Sequence, residues 1–160
     1  MTPLAYQRHN HQRCIDTALA SARALCIERG VRLTLQREQV LRLVWQSHKP
    51  LGAYPLMEML SSATTKPVAP PTVYRALEFL SEQALIHKIH SLNAFVGCSE
   101  PGSHHQSRFL ICRHCEVAVE CGSGELDAAL AKTAAVAGFT AEEQSVEIVG
   151  LCPTCKDCAK

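Results

Sequence analysis

Two short cysteine motifs carry the clearest chemistry in this chain. Cys112-Arg-His-Cys115 and Cys152-Pro-Thr-Cys155 are C-x-x-C pairs with 36 residues between them. A two-residue spacer lets both thiolates of a pair turn toward one tetrahedral ion, at about 2.3 Å per Zn–S bond. Two such knuckles on neighbouring strands make a closed site of four thiolates. A closed site is structural, because the ion contributes folding free energy and leaves no open position. The competing reading is a redox C-x-x-C, which usually opens a helix in a thioredoxin-like unit. Here there are two pairs, and each follows an expected strand. The chain has nine Cys, an odd count, and no secretory signal is read at its N-terminus, so a disulfide framework is not expected.

A second group of metal-binding side chains remains: His87, His90, Cys98, His104, His105, Glu116, Glu120 and Cys121. His87 and Cys98 fall on the two strands of an expected hairpin and can be cross-strand neighbours. With His105 and Glu120 they would form a nitrogen, sulfur and oxygen set drawn from both halves of the chain. One thiolate and two imidazoles suit Zn(II) better than Mn(II) or Mg(II). Spacing alone leaves the plainer alternative open, a packed histidine and a small core cysteine. His114-Cys115-Glu116 followed by a C-x-x-C superficially fits a zinc deaminase, but that signature has Pro directly before the first Cys of the pair. Leu151 stands there instead, and Cys115 would be left over.

The elements that must position these groups are legible from periodicity. Ile15, Ala18, Leu19, Ala22, Leu25 and Cys26 recur at helical spacing over 11–29, with Gly30 as a left-handed cap. Thr34 is an N-cap for a helix over 35–47, with Val40, Leu43 and Val44 inward. A turn at 48–52 leads to a helix over 53–61, with Leu56, Met59 and Leu60 as its apolar face. After a loop over 62–69, Pro70 and Pro71 open a fourth helix, where prolines are tolerated in the first turn. Val73, Ala76, Leu77 and Leu80 form its buried stripe. Leu85–His90 and Ala94–Cys98 flank a hairpin turn. Helices followed by a hairpin describe a winged helix-turn-helix that places the fourth helix in a DNA major groove.

Residues 99–107 are polar and marked by Gly and Pro, as expected of a linker. Beyond it the pattern becomes α/β: strands over 108–112, 117–121 and 145–151, and a helix over 124–137 capped by Gly138. That helix offers Leu126, Ala129, Leu130, Thr133 and Val136 as its apolar set. Three short strands with a helix on one face leave a face uncovered, so this domain is expected to dimerise. The fold class is therefore α+β. A winged helix-turn-helix domain at 1–98 and a hinge at 99–107 precede a small zinc-stabilised dimerisation domain at 108–160.

The 160 residues are 47% hydrophobic and 19% charged, a globular composition. No uncharged apolar run approaches the roughly 18 residues of a membrane span. The net charge of +1 conceals 11 basic against 6 acidic residues in 1–90, and 5 against 9 in 91–160. The basic half is the one suited to a polyanion.

These features converge on a known group. Val31-Arg-Leu-Thr-Leu-Gln-Arg37, Pro70-Pro-Thr-Val-Tyr-Arg-Ala-Leu77, Leu85-Ile-His-Lys-Ile89, Phe109-Leu-Ile-Cys-Arg-His-Cys115 and Gly150-Leu-Cys-Pro-Thr-Cys155 resemble the ferric uptake regulator family of bacterial metal-responsive repressors. Within it the zinc uptake regulator branch is the nearer likeness. The resemblance spans about residues 25–155. It implies two Zn2+ per subunit: a structural site at Cys112, Cys115, Cys152 and Cys155, and a regulatory site at His87, Cys98, His105 and Glu120. The family pattern has a His seven residues before the first knuckle Cys and a Glu eight after it, and both offsets hold here, with His104 as the alternative to His105.

The resemblance further implies a cytoplasmic bacterial repressor of zinc-uptake genes, with no enzymatic activity, no small-molecule substrate and no membrane contact. It implies a homodimer on an A·T-rich palindromic operator, contacted through Arg75, Tyr74 and Thr72 of the fourth helix and Tyr54 of the third. Arg32, Arg37 and Lys66 are candidates for phosphate contacts. Same-family repressors that sense iron, manganese or peroxide are the alternatives. Three departures stand out. Leu35 replaces a usual Pro, Pro55 follows Tyr54, and Ser103-His-His-Gln-Ser107 lacks the acidic residue of an iron-type site. Cys14, Cys26, Cys121 and Cys158 have no family role and are expected to be core or surface thiols.

Overall fold

A computed structural model describes residues 4–7, 9–64, 66–102, 106–122, 124–142 and 144–158. The chain begins with a short 3-10 turn, Leu4–Tyr6, and then α1 (His11–Glu28), α2 (Leu35–Val44), β1 (Leu51–Gly52), α3 (Ala53–Ser62) and α4 (Pro70–Glu82). The wing follows as β2 (Ile86–Ile89) and β3 (Ala94–Gly97). The second half holds β4 (Ser107–Cys112), β5 (Ala118–Glu120), α5 (Gly124–Val136), β6 (Ser145–Gly150) and α6 (Pro153–Cys158).

Local signals act where the sequence places them. Asn10 caps α1, its side chain accepting from Gln12 N, and Gly30 takes φ +65° past the end. Thr34 caps α2 through Arg37 N at 3.4 Å. The two prolines sit in the first turn of α4. Ile15, Leu19, Ala22 and Cys26 of α1 meet Val40, Leu41 and Val44 of α2 in one core, closed by Leu56, Leu60, Val73, Leu77 and Leu80.

Three elements differ from expectation. The segment read as a turn at 48–52 ends in β1, which pairs antiparallel with β3 and makes the wing a three-stranded sheet of order β1-β3-β2. α2 ends at Val44, three residues early, because Trp45 leaves the helix and packs across Gly97. The second C-x-x-C runs straight into α6, a helix the sequence did not announce.

In the second sheet, order β5-β4-β6, β4 pairs antiparallel with β5 and parallel with β6. A parallel pair requires a crossover, and α5 supplies it. β4 starts at Ser107, the last residue of the expected linker. None of the α5 apolar set is buried: Val136 is 83% exposed, and nearby Phe139 and Val149 are also open. The helical period is present, but among the described residues no surface buries it. No helix is long and apolar enough to cross a membrane among the described residues.

Candidate metal centres and nucleic-acid interface

The four knuckle cysteines meet because β4 and β6 run in the same direction and in register. Cys112 at the end of β4 lies opposite Gly150, so Cys152 arrives two residues later beside the first knuckle. Arg113 N donates to Gly150 O at 2.9 Å and ties the two strand ends. The first knuckle turns at Glu116, whose φ is +64°, and Glu116 N donates to Cys112 O at 2.9 Å. All four sulfurs lie within 4.8 Å of one another, and Cys115 Sγ is 3.8 Å from Cys152 Sγ. Bonds of about 2.3 Å in a tetrahedron give sulfur–sulfur edges of about 3.8 Å. Backbone amides of Cys152 and Cys155 each point at a sulfur, at 3.4 Å. Burial raises the Cys112 thiol, but amide donors from Cys115, Cys152 and His114 outweigh it and hold the pKa at about 6. Burial and the neighbouring thiols push Cys155 up to about 12. A cation is what such a crowded, amide-lined sulfur set lacks, so the residues fit a closed zinc site. The second pair does straddle a helix start, as a redox pair would, yet it faces two further thiols. His114 and Glu116 are exposed on the turn.

The second group is assembled across the two halves of the chain. In the β2–β3 register His87 faces Val96, so Cys98 is its diagonal neighbour on the same face, not its direct partner. Cys98 N donates to Leu85 O at 3.0 Å, which extends the hairpin by one residue beyond β3. Glu120 comes from the end of β5. Donor atoms of His87, Cys98 and Glu120 lie within 4.8 Å of one another. His87 Nε2 is 3.1 Å from Glu120 Oε1, and both side chains are almost enclosed. The partners behind these groups fix their orientation. His87 Nδ1 is 2.9 Å from Ser107 Oγ, and Glu120 Oε2 accepts from Ser99 N at 3.1 Å and Ser99 Oγ at 2.7 Å. His87 and Glu120 thus each have the far atom held and the near atom turned inward. Burial and the Glu120 charge push the Cys98 thiol up to about 12. For Glu120, burial raises the pKa, but hydrogen bonds from His87 and Ser99 bring it down to about 2. A buried thiol beside a carboxylate is short of positive charge, which a divalent ion would supply. His104 and His105 lie outside the described residues. His90 and Cys121 do not join the group.

Opposite its buried stripe, α4 leaves Tyr74 and Arg75 exposed and Thr72 half-buried. Tyr54 is 68% exposed in the first turn of α3, which packs on α4. Arg32 and Lys66 are exposed. Arg37 is half-buried: its guanidinium lies 3.6 Å above the Phe79 ring and donates to the Arg32 carbonyl. Arg75 makes no hydrogen bond or ion pair among the described residues, so its fork remains available to a ligand.

The family model for the ferric uptake regulator family matches residues 28–149. The chain belongs to the ferric uptake regulator family. It is 41% identical over 141 residues to the zinc uptake regulation protein of Escherichia coli (strain K12), covering 86% of this chain and 80% of that one. Among solved structures it is similar to a zinc uptake regulator complexed with zinc and DNA, at 35% identity and TM-score 0.84, covering 95% of this chain and 99% of the other. It is also similar to XcZur in two states. The holo form gives TM-score 0.80 at 40% identity, covering 88% of this chain and 98% of that one. The apo form gives 0.53 at 39% identity, covering 89% and 97%. The chain as a whole thus superposes more closely on the holo form than on the apo form.

Proposed function

We propose that this chain is a zinc-responsive transcriptional repressor of zinc-uptake genes in the bacterial cytoplasm. It acts as a homodimer with one structural and one regulatory zinc ion per subunit and is not an enzyme. The observation that carries the reading is the meeting of His87 and Cys98, from the wing, with Glu120, from the second sheet, in one enclosed group. Its relatives' names and the arrangement shared with the zinc- and DNA-bound regulator support it. Domain limits at 1–98, 99–107 and 108–160 follow, with His105 on the hinge as the fourth regulatory ligand. The sulfur of Cys98 favours zinc over iron or manganese.

Cys112, Cys115, Cys152 and Cys155 fasten the ends of β4 and β6 and so shape the dimerisation sheet. A bound ion at the regulatory site supplies positive charge and inner-sphere bonds between buried donors. His87, Cys98 and Glu120 hold the wing against the second sheet. The open apolar surface of α5, Phe139 and β6 is the face a second subunit covers. Two-fold symmetry then presents two α4 helices to successive major grooves of an A·T-rich palindrome. Arg75, Tyr74 and Thr72 read bases with Tyr54 beside them, while Arg32, Arg37 and Lys66 flank the phosphates.

The test is a zinc titration of binding to a duplex selected from a randomised library in the presence of zinc. Metal is counted per subunit in parallel. The wild-type dimer should bind only when zinc is added, and operator DNA should tighten zinc binding by the same factor. Cys98→Ser should stay a folded dimer, lose one zinc and lose the response. Equal binding by Cys98→Ser, or by zinc-stripped wild type, refutes the reading.

A further inference from the structure

A third donor group lies outside both sites. His9, His11, Cys14 and His48 bring one ligand atom each to within 4.8 Å of one another. The N-cap at Asn10 starts α1 at His11, and three residues on Cys14 shares its face. His9 precedes the cap. His48 comes from the loop between α2 and β1, far along the chain. The three rings are tilted against one another, with centroids 4.4, 4.9 and 5.1 Å apart. We propose that these four residues form a third metal site that takes Zn2+ and fastens the start of α1 to the α2–β1 loop.

Three observations support it. First, His9 Nδ1 lies 2.8 Å from the Gln7 carbonyl, so Nδ1 carries the proton and the Nε2 lone pair faces the group. Second, His9 Nε2 and His48 Nε2 are 2.9 Å apart. Tetrahedral bonds of about 2.0–2.1 Å place two nitrogens roughly 3.3–3.4 Å apart, so the rings need part by only about half an ångström. Third, His11 Nδ1 is buried with no hydrogen-bond partner among the described residues, the condition of a donor atom awaiting a ligand. Three imidazoles and a thiolate suit a borderline-soft ion of tetrahedral habit.

The position gives the site a consequence. His48 O accepts from Ala118 N of β5 at 3.0 Å, so the loop that would hold the ion also contacts the second sheet. His9, Cys14 and His48 line the same cavity of about 640 Å³ as Cys98 and Glu120.

The experiment uses the full-length dimer, dialysed to equilibrium against buffered zinc, with metal counted per subunit. Wild type should reach three, and both Cys98→Ser and the double variant His11→Ala/Cys14→Ser should reach two. His9→Gln/His48→Gln should weaken the same equivalent at least about tenfold, which guards against misfolding of the first double variant. With Co2+ added to protein whose four-sulfur site keeps its zinc, Cys98→Ser should still show thiolate charge-transfer absorption, and Cys14→Ser/Cys98→Ser should show none. A count in His11→Ala/Cys14→Ser equal to that of wild type overturns the site. So does a count of three in both double variants. Failure of the regulatory reading shows instead in Cys98→Ser, which would then keep every equivalent.

Discussion

The contact between Trp45 and Gly97 gives the most exposed prediction. Trp45 is the chain's single tryptophan, and its indole lies flat against the Gly97 backbone, immediately before Cys98. A methyl group at Gly97 would stand 2.1 Å from Trp45 Cε2, 2.4 Å from Nε1 and 2.5 Å from Cζ2. Carbon atoms in contact sit about 3.5–4.0 Å apart, so the ring must retreat by roughly 1.5 Å. Overpacking of this kind costs about 1–3 kcal/mol. For a chain of this size that lowers Tm by roughly 2–12 °C. In Gly97→Ala, thermal melting should shift by that amount and tryptophan emission should move to the red. The regulatory zinc should weaken while the four-sulfur site stays filled. Trp45→Leu should relieve the clash, so the double variant should be less destabilised than the two single changes added together. An unchanged Tm together with unchanged emission in Gly97→Ala refutes the packing argument.

The remaining predictions address other parts of the molecule. Cys112→Ser should lose the structural zinc and, with it, the dimer; sedimentation and melting curves read this, and structural zinc sites contribute on the order of 10 kcal/mol to folding. Arg75→Ala should weaken operator binding by about 1–3 kcal/mol, roughly 5- to 150-fold, with the zinc count unchanged. Glu147 on β6 accepts from His90 N at 2.7 Å and Ser91 N at 3.3 Å, joining the hairpin tip to the second sheet. Burial raises the Glu147 carboxyl, but these hydrogen bonds outweigh it and hold it below its ordinary 4.5. A depressed folded pKa means the contact is fully present above pH 4.5 and is lost as pH falls through the folded value. Protection of the His90 and Ser91 amides, measured against their intrinsic exchange rates, should therefore fall on acidification, and Glu147→Gln should show the lower protection at neutral pH.

What could be read in advance follows the range of the interaction. The knuckles were legible because two residues of spacing decide whether a pair can share an ion. The helices were legible from caps and periodicity. β1 was not, because two residues become a strand only when β3 is beside them. α6 was too short to show a period. The stripe on α5 was read correctly as apolar, but burial is a property of the partner surface, and none of its side chains is buried here. Phe79 escaped the expected α4 stripe because its cover, the Arg37 guanidinium, comes from another helix. The His9, His11 and Cys14 spacing was visible in the sequence, yet it lacked meaning until the fold delivered His48 to it.

On the proposed function, the seam between the two domains is where a bound ion would act. Ile89 and Val96 of the wing meet Phe109, Ile111 and Ala118 of the second sheet in a cluster of five side chains. Around it lie isolated polar contacts: His48 O with Ala118 N, Lys49 with Glu116 at 3.5 Å, and Glu147 with the hairpin tip. Lys49 and Glu116 are exposed, and such pairs contribute little. On the proposed function, the arrangement of the domains across this seam is a balance that the ion shifts. Moving such a balance from 1:99 to 99:1 takes about 5.5 kcal/mol of differential binding. His87, Cys98 and Glu120 are the donors that straddle the seam and can bind differently in its two states. The four sulfurs all come from the second domain, so on the proposed function the seam-spanning group, and not the knuckles, is the one suited to sensing.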